Sequence, residues 1–202
     1  KELKTAFERI QNEFPGLRTP KIRTVFSGFG GVGGEFTAQH LQVSDSLIVI
    51  GLDFFMGKNG KYIPPNVYDY QLRRLEPKAL VGQVILQYSA FVNRQNEEEH
   101  TLLSDMIWYG KGFVFTKKIL PELPDSLIFG YTNQELVETN AFQKQVWEHF
   151  IDKKLLFAKE ELTKNKYLAL VMGINFFKRN PKSFIVKTFF ISYSTANNHI
   201  YF

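Results

Sequence analysis

From Thr101 to Lys118 the chain reads TLLSDMIWYGKGFVFTKK, with Leu102, Leu103, Met106, Ile107, Phe113 and Val114 at spacings of three, four and seven. That periodicity predicts a helix with a wide buried face, around which the rest is organised. Gly110 and Gly112 fall inside it. Each costs about 1 kcal/mol relative to Ala, tolerable where another backbone comes close or where the helix ends or kinks.

Upstream, Leu3, Phe7, Ile10 and Phe14 share one side of a helix predicted over Lys1 to Phe14 and stopped by Pro15-Gly16. Residues 21–27 (KIRTVFS), 35–43 (EFTAQHLQV) and 47–52 (LIVIGL) read as strands, with a glycine loop over 28–34 and a Ser44-Asp45-Ser46 turn between them. Short connections between neighbours favour an antiparallel, meander-like sheet. Asp53 to Pro65 reads as irregular, with a turn at Asn59-Gly60. Helical spacing then returns: a short helix over 67–75 and another over 78–92, opened by Glu76-Pro77. Residues 93–100 (NRQNEEEH) read as a charged loop or helix start, and Pro121 closes the organising helix. SLIFGY reads as a short extended piece. Thr132-Asn133-Gln134-Glu135 fits a capping box opening a helix to about Asp152, and LLFAKEELTKNKYL reads as a short final helix.

Composition changes the picture in two places. There are no cysteines, which excludes disulfides, thiolate zinc sites and cysteine nucleophiles. The formal net charge of +5 suggests a polyanion partner, but from Lys164 onward there are six of the 25 basic residues and none of the 20 acidic ones, leaving 19 against 20 over residues 1–163. The body is therefore neutral and the basic character belongs to the tail, so no nucleic-acid partner is expected. With 44% apolar residues, 20 of the 202 being Phe, the chain can bury a real core as one domain with an appendage. No apolar run approaches the roughly 20 residues of a membrane-spanning helix.

Two stretches together resemble the gliding-motility lipoprotein GldB family: SLIVIGLDFFMGKNGKYIPPNVYDYQLRRLEPKALVGQVILQ and LLSDMIWYGKGFVFTKKILPELPDSLIFGYT. The similar region covers about Ala6 to Leu168, which sets a GldB-like domain over 1–168 and a basic, aromatic tail over 169–202. The tail does not match the family's segment there and is either divergent or the product of a changed reading frame. The family in turn resembles, at a distance, zinc proteases of the HExxH type. The elements read as an α+β fold, a small antiparallel, meander-like sheet near the N-terminus packed by a mostly helical C-terminal half, and the resemblance implies that it is zincin-like with a degenerate metal site. The same resemblance implies a lipid-anchored envelope protein facing the periplasm, with signal peptide and anchor cysteine lying outside this chain. The partners it implies are other gliding-motility and secretion-machinery proteins.

HExxH chemistry needs two His on one helix face and a Glu that deprotonates metal-bound water. The four His, at 40, 100, 149 and 199, include no two within 40 residues. Laid on this sequence, the protease-like frame puts Gln83 and Gln87 at the His positions, Val84 at the Glu position and Tyr109, before Gly110, at the third ligand. Amides bind zinc poorly and valine is no base. Gln83, Gln87, Asp105 and Tyr109 are thus the expected vestigial-site groove, with no catalytic residue, metal or cofactor. The bland reading of the two glutamines is polar positions on a helix. A metal-dependent peptidase with an atypical site is the alternative.

Gly28-Phe29-Gly30-Gly31-Val32-Gly33 satisfies G-x-G-x-x-G after a strand, but a dinucleotide loop needs a helix next, and EFTAQHLQV alternates like a strand. Glu97-Glu98-Glu99 reads as a solvated helix start. Arg73-Arg74 reads as a phosphate site or, more commonly, a pair facing water or a carboxylate. Phe54, Phe55, Tyr62, Tyr68, Tyr70, Trp108 and Tyr109 either line a partner groove or, as dispersed aromatics usually do, pack in the core.

Overall fold

The computed structural model describes residues 1–30, 40–64, 72–95, 101–160 and 163–164. The expected strand start at 35–39, most of the short helix at 67–75, the acidic run at 97–99 and the tail from 169 lie outside them. The chain divides into two compact units, residues 1–91 with 116–130 and residues 92–115 with 131–202. The observed elements are α+β, a three-stranded sheet accompanied mainly by helices.

In the first unit, helix α1 (Glu2–Glu13) buries Ala6, Phe7 and Ile10, the i, i+1, i+4 face its sequence marks. Phe7 meets Tyr88 edge-on, ring centroids 5.0 Å apart, and the Tyr88 hydroxyl donates to the Arg18 carbonyl at 2.8 Å. Strands β1 (Lys21–Val25), β2 (Leu41–Val43) and β3 (Leu47–Gly51) lie in the order β1-β3-β2. The Ser44–Ser46 turn makes β2 and β3 an antiparallel pair, as expected, with the Ser44 hydroxyl accepting from Leu47 N–H at 2.9 Å. β1, however, runs parallel to β3, Lys21 opposite Leu47 and Val25 opposite Gly51. The sheet is mixed, not an antiparallel meander. Parallel pairing needs a crossover of about a dozen residues or more, and the connection from β1 to β3, which includes β2, supplies that length. Ile48, Ile50 and Leu41 form the buried face.

Helix α2 (Leu80–Tyr88) is flanked by 3-10 turns at Pro77–Ala79 and Ser89–Phe91, so the predicted 78–92 helix is α-helical only in its middle. Helix α3 (Leu102–Ile119) is continuous through the buried Gly110 and Gly112. Its last residues belong to the first unit, where Arg9 donates to the Ile119 carbonyl at 2.8 Å, a cation at a helix C-terminus. SLIFGY is not extended: Asp125–Phe129 forms helix α4. Pro124 precedes it, Asp125 stands in its first turn, and Gly130 closes it at φ +71°. These are helix start and stop signals on a helix too short to show periodicity.

In the second unit, Thr132 caps helix α5 (Asn133–Ala141) with the full capping box. Phe142, at φ −102° and ψ 10°, breaks the expected single helix, and α6 (Gln143–Asp152) follows. Residues 155–160 are not helical. Instead the Leu156 and Ala158 carbonyls accept from Leu103 and Leu102 N–H at 2.8 and 2.9 Å, filling donors that the start of α3 leaves without intrahelical partners.

Candidate functional site

α3 carries Asp105 on its buried side, a lone acid among Leu102, Met106 and Phe113. In the second unit its Oδ2 lies 2.9 Å from Lys164 Nζ, and its Oδ1 accepts from Gln95 Nε2 at 2.7 Å. The Lys164 and Asp105 side chains are only 6% and 5% exposed. Neither charge is stable alone in such surroundings, so each requires the other. Beside them, Asn93 Nδ2 donates to the Trp108 carbonyl and Trp108 Nε1 to the Asn93 carbonyl, both at 2.7 Å. The Trp108 ring meets Tyr109 edge-on at 4.7 Å. Burial chiefly, and then the Asp105 charge against the opposing Lys164, push the Tyr109 phenol above its ordinary pKa, so it stays protonated at neutral pH. Both carboxylate oxygens are engaged and the ammonium is paired. The cluster can hold α3 against residues 93–95 and Lys164, but it offers no free base or nucleophile.

Lys164 is the residue that sequence reasoning missed, because it reads as the first cation of the basic tail. The available signal was Asp105 itself: an acid on an apolar helix face requires a cation from elsewhere in the chain.

In the first unit, Asp53 opens the 3-10 turn Leu52–Met56 and is buried. Its Oδ2 accepts from Ser27 N–H at 3.1 Å, Ser27 Oγ at 2.8 Å and Phe29 N–H at 3.0 Å. Burial alone would raise its pKa. The hydrogen bonds from Phe29 and Ser27 outweigh that and hold the carboxyl below the usual range. Gly28 and Phe29 both sit at φ +58°, turning those amides inward. The opening of the G-x-G-x-x-G loop is therefore filled by the chain's own carboxylate, where a dinucleotide loop would present its amides to phosphate. Gly31 to Gly33 lie outside the described residues.

The expected groove residues divide between the units. On α2, Gln83 is buried, its Nε2 without a protein partner; Gln87 is half-buried; Val84 is fully buried. Asp105 and Tyr109 belong to the second unit, one turn apart on α3. Arg73 Nε donates to the Gly130 carbonyl and Arg74 Nη2 to the Phe129 carbonyl, both at 3.3 Å, at the C-terminal end of α4. Phe54 and Phe55 are buried in the first unit against Phe29 and His40. Tyr62 is 59% exposed, and Tyr68 and Tyr70 lie outside the described residues. Burial, then the nearby Arg74 charge, lower the His40 pKa. His149 packs on Phe150 in the second unit. Among the described residues no three His, Asp or Glu side chains group to hold a metal ion, and no helix is long and apolar enough to cross a membrane.

The fold and these clusters define a small α+β protein in which, among the described residues, Asp105 is paired with Lys164 and Asp53 Oδ2 is held by the chain's own amides, Asp53 Oδ1 being buried without a hydrogen-bond partner. The chain matches the family model of gliding motility protein GldB over residues 1–182, and it belongs to that family. Membership places it in gliding motility and at the cell envelope. The match extends past Leu168 into the first part of the basic tail. No curated protein and no solved structure matches the chain.

Proposed function

We propose that the protein is a non-catalytic component of the gliding-motility apparatus, working through protein–protein binding. A lipid on a cysteine outside this chain would anchor it, facing the periplasm, among other motility and secretion-machinery proteins. On this reading the scaffold is zincin-like and its metal site is vestigial. The carrying observation is the state of α2: a fully buried Val84 where the base would stand, flanked by the amides of Gln83 and Gln87 where imidazoles would stand. Neither residue type activates a metal-bound water. On the same reading the basic tail diverges from the family only beyond residue 182, where the match ends.

The test is incubation of purified protein with an unstructured peptide pool, with and without added zinc. The pool stays intact in both. Cleavage that EDTA abolishes would instead establish the atypical metallopeptidase.

A further inference from the structure

We infer that the outer edge of β1 receives an extended, acidic segment of a partner protein as an added strand, with one large apolar side chain of that segment seated in the groove beside it. This deepens the protein–protein reading above and rests on it.

β1 lies at one end of the sheet order and pairs only with β3 among the described residues. Lys21 N–H bonds to the Ser46 carbonyl at 2.9 Å, so Lys21, Arg23 and Val25 turn their main-chain groups toward β3. By alternation, Ile22 and Thr24 turn theirs outward. Among the described residues, the bond on that side is a 3.4 Å one from the neighbouring Arg23 guanidinium to the Ile22 carbonyl. Such an edge is a template for another strand unless it is covered or blunted.

The groove lies where α1 approaches the start of β1. It holds about 370 Å³, with Phe7, Pro20 and Ile22 as apolar lining and Lys4, Glu8 and Gln11 among its polar positions. That is the arrangement strand addition uses: main-chain bonds for affinity and a side-chain pocket for selectivity. At the strand's end Val25, and just past it Phe26, are 41% and 78% exposed.

Charge selects the chemistry of the occupant. Lys21 and Arg23 are exposed on β1, which carries no acid, and Arg18 is exposed just before it. Nearby, Glu8 is matched to Lys4 at 3.8 Å. A segment alternating acidic and apolar residues would meet the cations with one face and the groove with the other.

The experiment uses the full chain and a short fluorescent peptide alternating glutamate and isoleucine, read by polarisation. Saturable binding is expected. Thr24→Pro removes the outward N–H and leaves the bonds to β3 intact, so it should weaken binding about tenfold. Should that variant melt early, Lys21→Glu with Arg23→Glu, both at exposed positions, supplies the second readout. It should lose the acidic peptide and gain one alternating lysine and isoleucine. Absence of saturable binding, or binding indifferent to both variants, overturns the inference. So does a Thr24→Pro-sensitive dimer that excludes the peptide, which would put a second copy on the edge. Binding to anionic vesicles but not to the peptide overturns it in favour of a lipid surface. Peptide cleavage, by contrast, refutes the non-catalytic reading, so the two failures are distinguishable.

Discussion

Replacing Lys164 by Met leaves Asp105 as a buried carboxylate whose remaining polar partner is Gln95, 2.7 Å away. The two charges are 2.9 Å apart with side chains 6% and 5% exposed, so solvent does little to screen or replace either. Removing one member of a pair buried this deeply costs about 3–5 kcal/mol, most of it the penalty of the stranded partner. For a chain of this size that lowers the melting temperature by about 6–20 °C. Replacing both, Asp105→Leu with Lys164→Met, restores most of the loss, because two apolar groups of similar volume leave no stranded charge. Urea unfolding followed by tryptophan fluorescence is the assay, since Trp108 bonds to Asn93 beside the pair. A cost below about 1 kcal/mol for the single variant, the range of an exposed pair, would refute the reasoning. A double variant no better than the worse single one would refute it too.

Other perturbations have equally definite outcomes. The Asp53 carboxyl has a folded pKa below its ordinary 3.8, so its contribution is fully present above the unfolded value and is lost as pH falls through the lower folded one. Asp53→Ala should cost about 1–3 kcal/mol at neutral pH, with the gap to the parent closing in acid melts. His40, whose folded pKa lies below its ordinary 6.5, is held neutral in the fold. Stability therefore declines as pH falls below the unfolded value, and His40→Gln should flatten that decline in urea titrations between neutral pH and pH about 5. Gly130 sits at φ +71° with Arg74 Cγ 2.6 Å from where a Cβ would stand. Gly130→Ala should destabilise by about 1–3 kcal/mol in a thermal melt.

Much of the fold was legible where a pattern is long or a cap is chemical. The faces of α1 and α3 follow from their apolar spacing, and Thr132 with Glu135 marks the start of α5 outright. The sheet's three strand regions were visible, but not that β1 crosses over to lie parallel to β3, because alternation reports which face is buried and not which neighbour is chosen. α4 spans only Asp125 to Phe129, less than two turns, so its apolar residues read equally as a strand. The break at Phe142 interrupts no obvious pattern, since the apolar positions continue across it. The clusters were least visible because their members are remote in sequence. Lys164 stands far from Asp105, and Ser27 and Phe29 reach Asp53 only through backbone turned to positive φ. The residue types at 83, 84 and 87 could be read directly, and on the proposed reading they are what leaves the site without a metal ligand or base.

The central claim, that this GldB-family chain works without a metal, is tested most directly by elemental analysis of protein purified without a histidine tag, paired with a melt in EDTA. The account predicts less than about a tenth of an equivalent of zinc and an unchanged melting temperature. Near one equivalent of zinc, with a chelator-induced fall in stability, would contradict it.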